Sequence, residues 1–224
     1  FIGEVIGGLR AVDCSLTVAC AVSGVEVGTE STFRLSEKLG LPQMAFINKM
    51  DRENADFYKV YTRMRELFGN RITAVQLPIG SQSSFSGVVD LIELKAYSFD
   101  GKNVIEREIP SDMMGLVEEH RAGLLEAAAE YDDEVLMKYL EGEELTVEEI
   151  REGIKDGILK HRIVPVLCGS AGSGIGIPTL LDFISRYCPS PDQLGEVTGV
   201  KPGTQQEVKI PVSADAPFSA LVFK

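Results

Sequence analysis

The stretch AFINKMD, residues 45–51, is an apolar run that ends in polar side chains, and the rest of the chain can be arranged around it. Such a run predicts a buried strand that delivers Asn48, Lys49 and Asp51 to one edge of a sheet. In an open α/β sheet, ligands bind outside the carboxyl ends of the strands. The sequence therefore predicts a binding site at the end of this strand.

The three polar side chains suit a purine base, and guanine in particular. Asp51 can accept two hydrogen bonds from adjacent N–H donors, which guanine offers along one edge and adenine does not. Lys49 can lay its methylene stem along a flat ring, and the Asn48 amide can bridge the base and neighbouring loops. A solvated strand end is the alternative interpretation of this motif taken alone.

A second short apolar run, IVPVLC at residues 163–168, leads into the small residues GSA at 169–171. Small residues allow the backbone to approach a ligand closely. NKxD after one strand and GSA after a later one form the paired base-recognition signature of guanine-nucleotide-binding proteins. The residues that we predict to contact guanine are Asn48, Lys49, Asp51, Ser170 and Ala171.

With both motifs in place, the sequence resembles the translational GTPases, and most closely the elongation factor G family. The resemblance covers almost the whole chain, in FINKMDR at 46–52, QLPIG at 76–80, GVVD at 87–90, KYLEGEE at 138–144 and PFSALVFK at 217–224. It implies GTP or GDP as the cofactor, the ribosome as the partner, and GTP hydrolysis coupled to movement of the ribosome. A release-factor or ribosome-protection GTPase is the nearest alternative. Gly28 in place of a glutamine, and GSAGSGIG in place of GSA-x-K-x-x-G, indicate a divergent paralogue.

The order of the sequence patterns predicts an α/β fold with a doubly wound, mostly parallel sheet. The resemblance implies that this sheet is part of a P-loop-GTPase-like domain. A helix at the start, a strand over 16–22, a helix over 30–39 and a helix over 55–68 flank the NKMD strand. The last of these places Phe57, Tyr61, Met64 and Phe68 on one side.

After residue 69 the pattern changes to strands over 74–79, 88–94, 95–99 and 104–109, with a hairpin turn at Asp100-Gly101. Helices over 112–140 and 147–160 follow, the second opened by a capping box of Thr146 and Glu149. We therefore predict a GTP-binding domain, of which only the C-terminal part is present, over 1–68 and 162–188, with an inserted α+β domain over 69–161. A linker over 189–212 follows, and the resemblance implies that 213–224 is the first strand of a following β-barrel domain.

Composition places the chain in the ordinary soluble class, with 224 residues, 44% hydrophobic and 25% charged. It has neither a run of roughly 20 apolar residues nor a basic-then-apolar signal at its start, so we expect a cytoplasmic location and no membrane partner. The four cysteines form no CxxC pair. Neither a zinc site nor a disulfide framework is expected.

Charge is concentrated in one region. The net charge of −12 argues against broad binding to nucleic acid. Residues 111–160 hold fifteen Asp or Glu and five Lys or Arg, a net charge of −10. This region is either a docking face for a basic partner or a solvated surface, and the family resemblance implies contact of the insert with the ribosomal stalk protein. An acidic interaction module without nucleotide function is the alternative from a different class.

One motif is missing. Phosphate binding in such proteins uses GxxxxGK[ST], which does not occur in this sequence. Residues 172–176, GSGIG, lack the lysine, so we predict a surface turn that starts a helix. By resemblance, the chain begins just after the family's DxxGH segment, so we expect a fragment without catalytic residues or metal ligands. Magnesium would be bound by residues absent from it, and the chain alone would be inactive. His120 and His161 match no catalytic position, and we expect solvated or capping roles.

Overall fold

The computed structural model describes residues 2–101 and 103–223. Its α-helices are α1 (Ile2–Leu9), α2 (Val27–Lys38), α3 (Phe57–Phe68), α4 (Met114–Ala129), α5 (Asp133–Leu140), α6 (Val147–Leu159) and α7 (Ile177–Tyr187). Its strands are β1 (Ser15–Cys20), β2 (Gln43–Asn48), β3 (Ile72–Ala74), β4 (Gln76–Ile79), β5 (Gly87–Asp90), β6 (Lys95–Phe99), β7 (Val104–Arg107), β8 (Val164–Cys168), β9 (Glu196–Val200) and β10 (Glu207–Pro211). None of the helices in these ranges is long and apolar enough to cross a membrane.

A four-stranded parallel sheet, in the order β1-β2-β8-β3, forms the first part of the fold. All five residues of β8 and the first five of β2 are buried, because helices and the insert cover the two central strands. In β1 the burial alternates, which is the pattern of a strand covered on one face. The predicted α/β class with a parallel sheet is confirmed.

Helices α2 and α3 pack together on this sheet through aromatic rings. The rings of Phe33 and Phe68 stack with their centroids 3.8 Å apart. The predicted apolar side of α3 is buried, including Phe57, Tyr61 and Met64. Asp56 caps the helix by accepting a hydrogen bond from the Lys59 N–H. The segment that follows β2 is therefore firmly packed against the core.

The insert combines an antiparallel sheet, ordered β4-β5-β6-β7, with helices α4, α5 and α6. The hairpin between β6 and β7 and the capping box of Thr146 and Glu149 are both present, as predicted. The helix predicted over 112–140 is instead two helices. Asp132 separates them because its carboxylate accepts hydrogen bonds from the N–H groups of Glu134 and Val135, which starts α5.

The passage from the parallel sheet into the insert differs from the prediction. The predicted strand over 74–79 is two strands in two sheets, since β3 pairs with β8 and β4 pairs with β5. Val75 lies between them, donating to the Val166 carbonyl (3.1 Å) and accepting from the Leu91 N–H (3.0 Å). The parallel sheet thus extends past residue 69, where we placed the start of the insert. An unbroken apolar run gives no sign that the chain changes sheets.

Three further predictions differ from the structure. The strand predicted over 88–94 ends at Asp90, whose carboxylate accepts from the N–H groups of Ile92 and Glu93 and so turns the chain. The segment 189–212, predicted as a linker, contains the antiparallel pair β9 and β10. Described residues 213–223 contain no strand, and Phe218 is 94% exposed. An alternating pattern needs a neighbouring strand before its backbone hydrogen bonds can form.

Candidate functional site

The two motif loops meet because their strands are neighbours in the parallel sheet. Ile47 of β2 pairs with Cys168 of β8. Beyond this pair the Gly169 N–H donates to the Ile47 carbonyl (3.0 Å), and the Met50 N–H donates to the Gly169 carbonyl (3.2 Å). Hydrogen bonding between the two segments therefore continues past the strand ends, and both loops lie at one edge of the sheet.

Side chains then connect the loops directly. The Ser170 hydroxyl donates to Asp51 Oδ1 at 2.6 Å. The Ala171 N–H donates to Asn48 Oδ1 at 2.9 Å, and the Lys49 N–H donates to the same oxygen at 2.8 Å. The Ser170–Asp51 contact spans 119 positions of the chain and the Ala171–Asn48 contact spans 123. The structure thus brings together all five residues singled out in the sequence.

The NKMD loop is held by one buried residue between two accessible ones. Met50 is fully buried, whereas Lys49 is exposed and Asp51 is half-buried. Lys49 has a φ of 66°, a left-handed conformation that non-glycine residues adopt infrequently. Such a conformation persists only where the surroundings fix it. Here the buried Met50 and the two hydrogen bonds to Asn48 Oδ1 provide that support.

The GSA loop is as closely packed as its small residues suggest. A Cβ atom at Gly169 would lie 2.5 Å from the Ile175 carbonyl oxygen and 2.8 Å from Phe46 Cζ. The loop closes because the Ser170 N–H donates to that carbonyl at 2.8 Å. The GSGIG segment then turns into α7 with Gly176 as its N-cap residue. This is the turn that we predicted there.

Asp51 and Asn48 each keep one polar side-chain atom that remains for a ligand. Asp51 Oδ1 is occupied by Ser170, and Asn48 Oδ1 accepts two N–H groups. Asp51 Oδ2 and Asn48 Nδ2 have no hydrogen-bond partner within residues 2–101 and 103–223. The carboxylate oxygen can accept N–H donors and the amide N–H₂ can donate to ring or carbonyl acceptors, and purine bases carry both kinds of group. The two loops therefore offer hydrogen-bonding groups of both kinds to a ligand at this edge of the sheet.

Among the described side chains, no group of three or more His, Cys, Asp or Glu could hold a metal ion. His161 is exposed at the end of α6. We expected His120 to be solvated or to cap a helix, but it packs against two aromatic rings. Its ring centroid lies 5.9 Å from that of Tyr58 and 5.5 Å from that of Tyr61. Burial lowers the pKa of its imidazole.

Two neighbours of the site were not predicted. Gln82 of the insert has a φ of 54°, and its N–H donates to the Met50 carbonyl at 2.9 Å, which ties the insert to the NKMD loop. Cys20 is the β1 partner of Asn48, and the pKa of its thiol is lowered, chiefly by hydrogen bonding to the Ser23 backbone. A backbone contact such as that of Gln82 leaves no signal in the sequence. The position of Cys20 could have been inferred from the strand order.

Comparison with known proteins agrees with this architecture. The profile of the elongation factor Tu GTP-binding domain matches residues 1–190. A crystal structure of a protein from Thermus thermophilus is similar, with a TM-score of 0.80 and 32% sequence identity over 93% of this chain. The match covers 33% of that protein, so this chain spans about a third of its length. The chain belongs to the elongation factor Tu GTP-binding domain family, the translational GTPases.

Proposed function

We propose that Asn48, Lys49, Asp51, Ser170 and Ala171 form the guanine-base part of the nucleotide site in a ribosome-dependent GTPase of the translocation type. The observation that carries the proposal is the pair of contacts between the two loops, Ser170 to Asp51 (2.6 Å) and Ala171 to Asn48 (2.9 Å). They leave a carboxylate oxygen and an amide N–H₂ for the base. Because the Ala171 N–H already donates to Asn48, we assign Ala171 the role of holding that amide in place.

GTP and GDP are the cofactors that family membership implies, with magnesium at the phosphates. Hydrolysis of GTP is the chemistry that the complete site would supply. Within this chain the residues act on the base alone: Asp51 selects its N–H edge, Asn48 donates to its acceptors, and the Lys49 stem covers its face. We propose that phosphate and magnesium binding, and therefore catalysis, belong to other residues of a longer protein.

Replacing Asp51 with Asn in the full-length protein tests the base assignment. The change presents N–H₂ where guanine requires an acceptor, so GTP affinity should fall by about 2 to 4 kcal/mol, or roughly 30- to 1000-fold. Xanthosine triphosphate, which carries an oxygen at that position, should then bind better than GTP. Calorimetric titration with GTP and with xanthosine triphosphate measures this change in preference.

Glu53→Gln is the matched control, because it removes the same charge from an exposed position two residues away. It should leave both affinities unchanged. Unaltered GTP affinity in the Asp51 variant would exclude the assignment. Residues 1–224 alone should bind GTP no more tightly than roughly millimolar, since base contacts supply only about 4 kcal/mol. Micromolar, magnesium-dependent binding by this chain would mean that the phosphate site lies within it.

The translocation type is favoured over a release-factor or ribosome-protection GTPase by the resemblance of the insert motifs, QLPIG, GVVD and KYLEGEE, to the elongation factor G family. Ribosomes stalled with a peptidyl-tRNA provide the test. The full-length protein with GTP should advance the messenger by one codon. Ribosome-stimulated hydrolysis without that movement would favour one of the two alternatives.

The acidic insert supports a second element of the proposal, contact with a basic ribosomal partner such as the stalk protein. Residues 111–160 have a net charge of −10, and α5 and α6 present many of these carboxylates at the surface. Association should therefore be faster at low salt. Charge neutralisation on α5 and α6 should slow ribosome-stimulated hydrolysis and leave GTP affinity unchanged. If hydrolysis is unaltered, the insert is a solvated surface.

A further inference from the structure

Two of the four cysteines lie in contact although they are 174 positions apart in the chain. Cys14 directly precedes β1, and Cys188 directly follows the end of α7. Their Sγ atoms are 3.6 Å apart, which is within hydrogen-bonding distance for two thiols. A disulfide bond is about 2.05 Å long, so the sulfurs need to approach by about 1.5 Å.

The surroundings of the pair favour reaction at Cys188. Both residues are half-buried and both thiols are free. Met44 places its Sδ atom 3.0 Å from Cys188 Sγ. Hydrogen bonding between the two cysteines lowers the pKa of Cys188 and raises the pKa of Cys14, because the pair shares one thiol hydrogen once the other has dissociated. The sulfur with the lower pKa is the better nucleophile of the two at neutral pH.

Cys188 is also accessible from a surface cleft. The cleft has a volume of about 460 Å³ and is lined by Ser185, Cys188, Pro189 and Ser190, among others. A small, neutral oxidant such as hydrogen peroxide can enter a space of this size. By contrast, Cys168 is fully buried in β8, and burial raises the pKa of its thiol. The Cys14–Cys188 pair therefore combines contact with a route for the oxidant.

We propose that Cys14 and Cys188 form a reversible disulfide when the protein meets hydrogen peroxide. The Cys188 thiolate attacks one peroxide oxygen, the O–O bond breaks, and hydroxide leaves with a proton as water. The sulfur of Cys14 then attacks the sulfenic sulfur of Cys188, the S–O bond breaks, and a second water leaves. Two thiols are thus oxidised by two electrons while one peroxide is reduced to two waters.

The bond would join the start of β1 to the end of α7. This edge of the parallel sheet is opposite the strand ends that carry Asn48 and Ser170. It is also where the chain leaves the sheet towards β9. The oxidised chain should therefore be more stable to unfolding, because a long loop is closed, while the geometry of the base-recognition loops stays the same.

The test uses the 224-residue chain, treated with hydrogen peroxide, blocked with iodoacetamide and digested without reductant. Mass spectrometry should find the peptides of Cys14 and Cys188 linked, two hydrogens lighter than the separate thiols, and dithiothreitol should separate them. Oxidation should raise Tm by about 5 to 10 °C. Cys14→Ser should abolish both the linked peptide and the shift, whereas Cys20→Ser, another half-buried cysteine, should retain both.

Recovery of Cys14 and Cys188 as separate alkylated peptides, or of Cys188 as sulfinic acid with Cys14 unmodified, would overturn the proposal. Disulfide formation at the same yield in urea-denatured protein would also overturn the proposal. The contact in the folded protein would then have no role in forming the bond. Should Cys14→Ser fail to fold, the linked peptide and the Tm shift of the unmodified sequence decide the question by themselves.

Discussion

The parallel sheet and the insert carry their polar residues in different places. In β2 and β8 the strand interiors are buried on both faces, so polar side chains are confined to the strand ends. In β7 of the insert, three of four residues are exposed, and α5 and α6 present charges over much of their surface. A polar residue after a buried strand therefore marks a site, whereas a polar residue in the insert is one of many.

The two regions also differ in how they are held together. Backbone hydrogen bonds fix the loops of the parallel sheet, such as Met50 to Gly169. The insert adds ion pairs at its surface, and one of them reaches the other region: Glu93 contacts Arg151 of α6 at 2.5 Å and Arg186 of α7 at 3.4 Å. Partly exposed pairs contribute little free energy each. We therefore expect helix packing, rather than charge, to dominate the stability of the insert.

Among the variants that test this difference between the two regions, Gly153→Ala should have the largest effect on stability. A Cβ atom at Gly153 in α6 would overlap the Ala128 carbonyl of α4. The helices would have to separate, which should lower the free energy of unfolding by about 2 to 3 kcal/mol despite the better helix propensity of Ala. Thermal or urea unfolding measures the loss.

Gly123→Ala on α4 is the control, because in residues 2–101 and 103–223 no atom beyond the adjacent residues and the nearby backbone of α4 lies within 4 Å of a Cβ there. It should be neutral or stabilising by up to about 1 kcal/mol. GTP affinity of the full-length Gly153 variant should be unchanged if the insert and the base site are independent. A weakened affinity would show that the Gln82 contact with Met50 transmits the disturbance to the NKMD loop.

A smaller effect is expected from Ser170→Ala, which removes the hydrogen bond that orients the Asp51 carboxylate. Affinity of the full-length protein for GDP should fall by about 1 kcal/mol, or roughly fivefold. The preference for guanine over xanthine should persist, because Asp51 remains an acceptor. Ser173→Ala removes a hydroxyl of the same loop that donates to the Ser170 carbonyl at 3.4 Å rather than to Asp51, and it should change both quantities less. Equal losses in both variants would mean that Ser170 has no special role.

Glu149→Gln should have the smallest effect on stability, and the size of this effect depends on pH. Hydrogen bonding to Lys138 and to Thr146 lowers the pKa of Glu149 below its ordinary value of 4.5. Its charge therefore stabilises the folded chain above that pH, and the contribution disappears as the pH falls through the lowered pKa. At pH 7 the variant should lose about 0.5 kcal/mol, since Gln keeps the capping box. Urea unfolding at pH 7 and pH 3 should show a larger difference at pH 7.

The matched control for that variant is Glu152→Gln, which removes a more exposed carboxylate from the same helix. Its effect should be smaller at both pH values. A Glu149 difference that is the same at pH 7 and pH 3 would show that the lost contact is not electrostatic.

The sequence by itself determined the elements whose signals are local. The apolar run before Asn48, the aromatic side of α3 and the capping box of Thr146 each lie within a dozen residues, and each is present in the structure. The candidate site residues could be named for the same reason, since polar and small residues after buried strands are conspicuous. Whether they bind guanine stays a prediction.

Only the tertiary structure decided how distant segments pair. It placed β3 in the parallel sheet and β4 in the insert, although the run through Val75 is continuous. It left residues 213–223 without a strand, joined Gln82 to Met50, and set Cys14 against Cys188. These outcomes depend on which backbone groups find partners far along the chain. Local patterns report the tendency to form a strand or helix, but they carry no information about the neighbour that completes it.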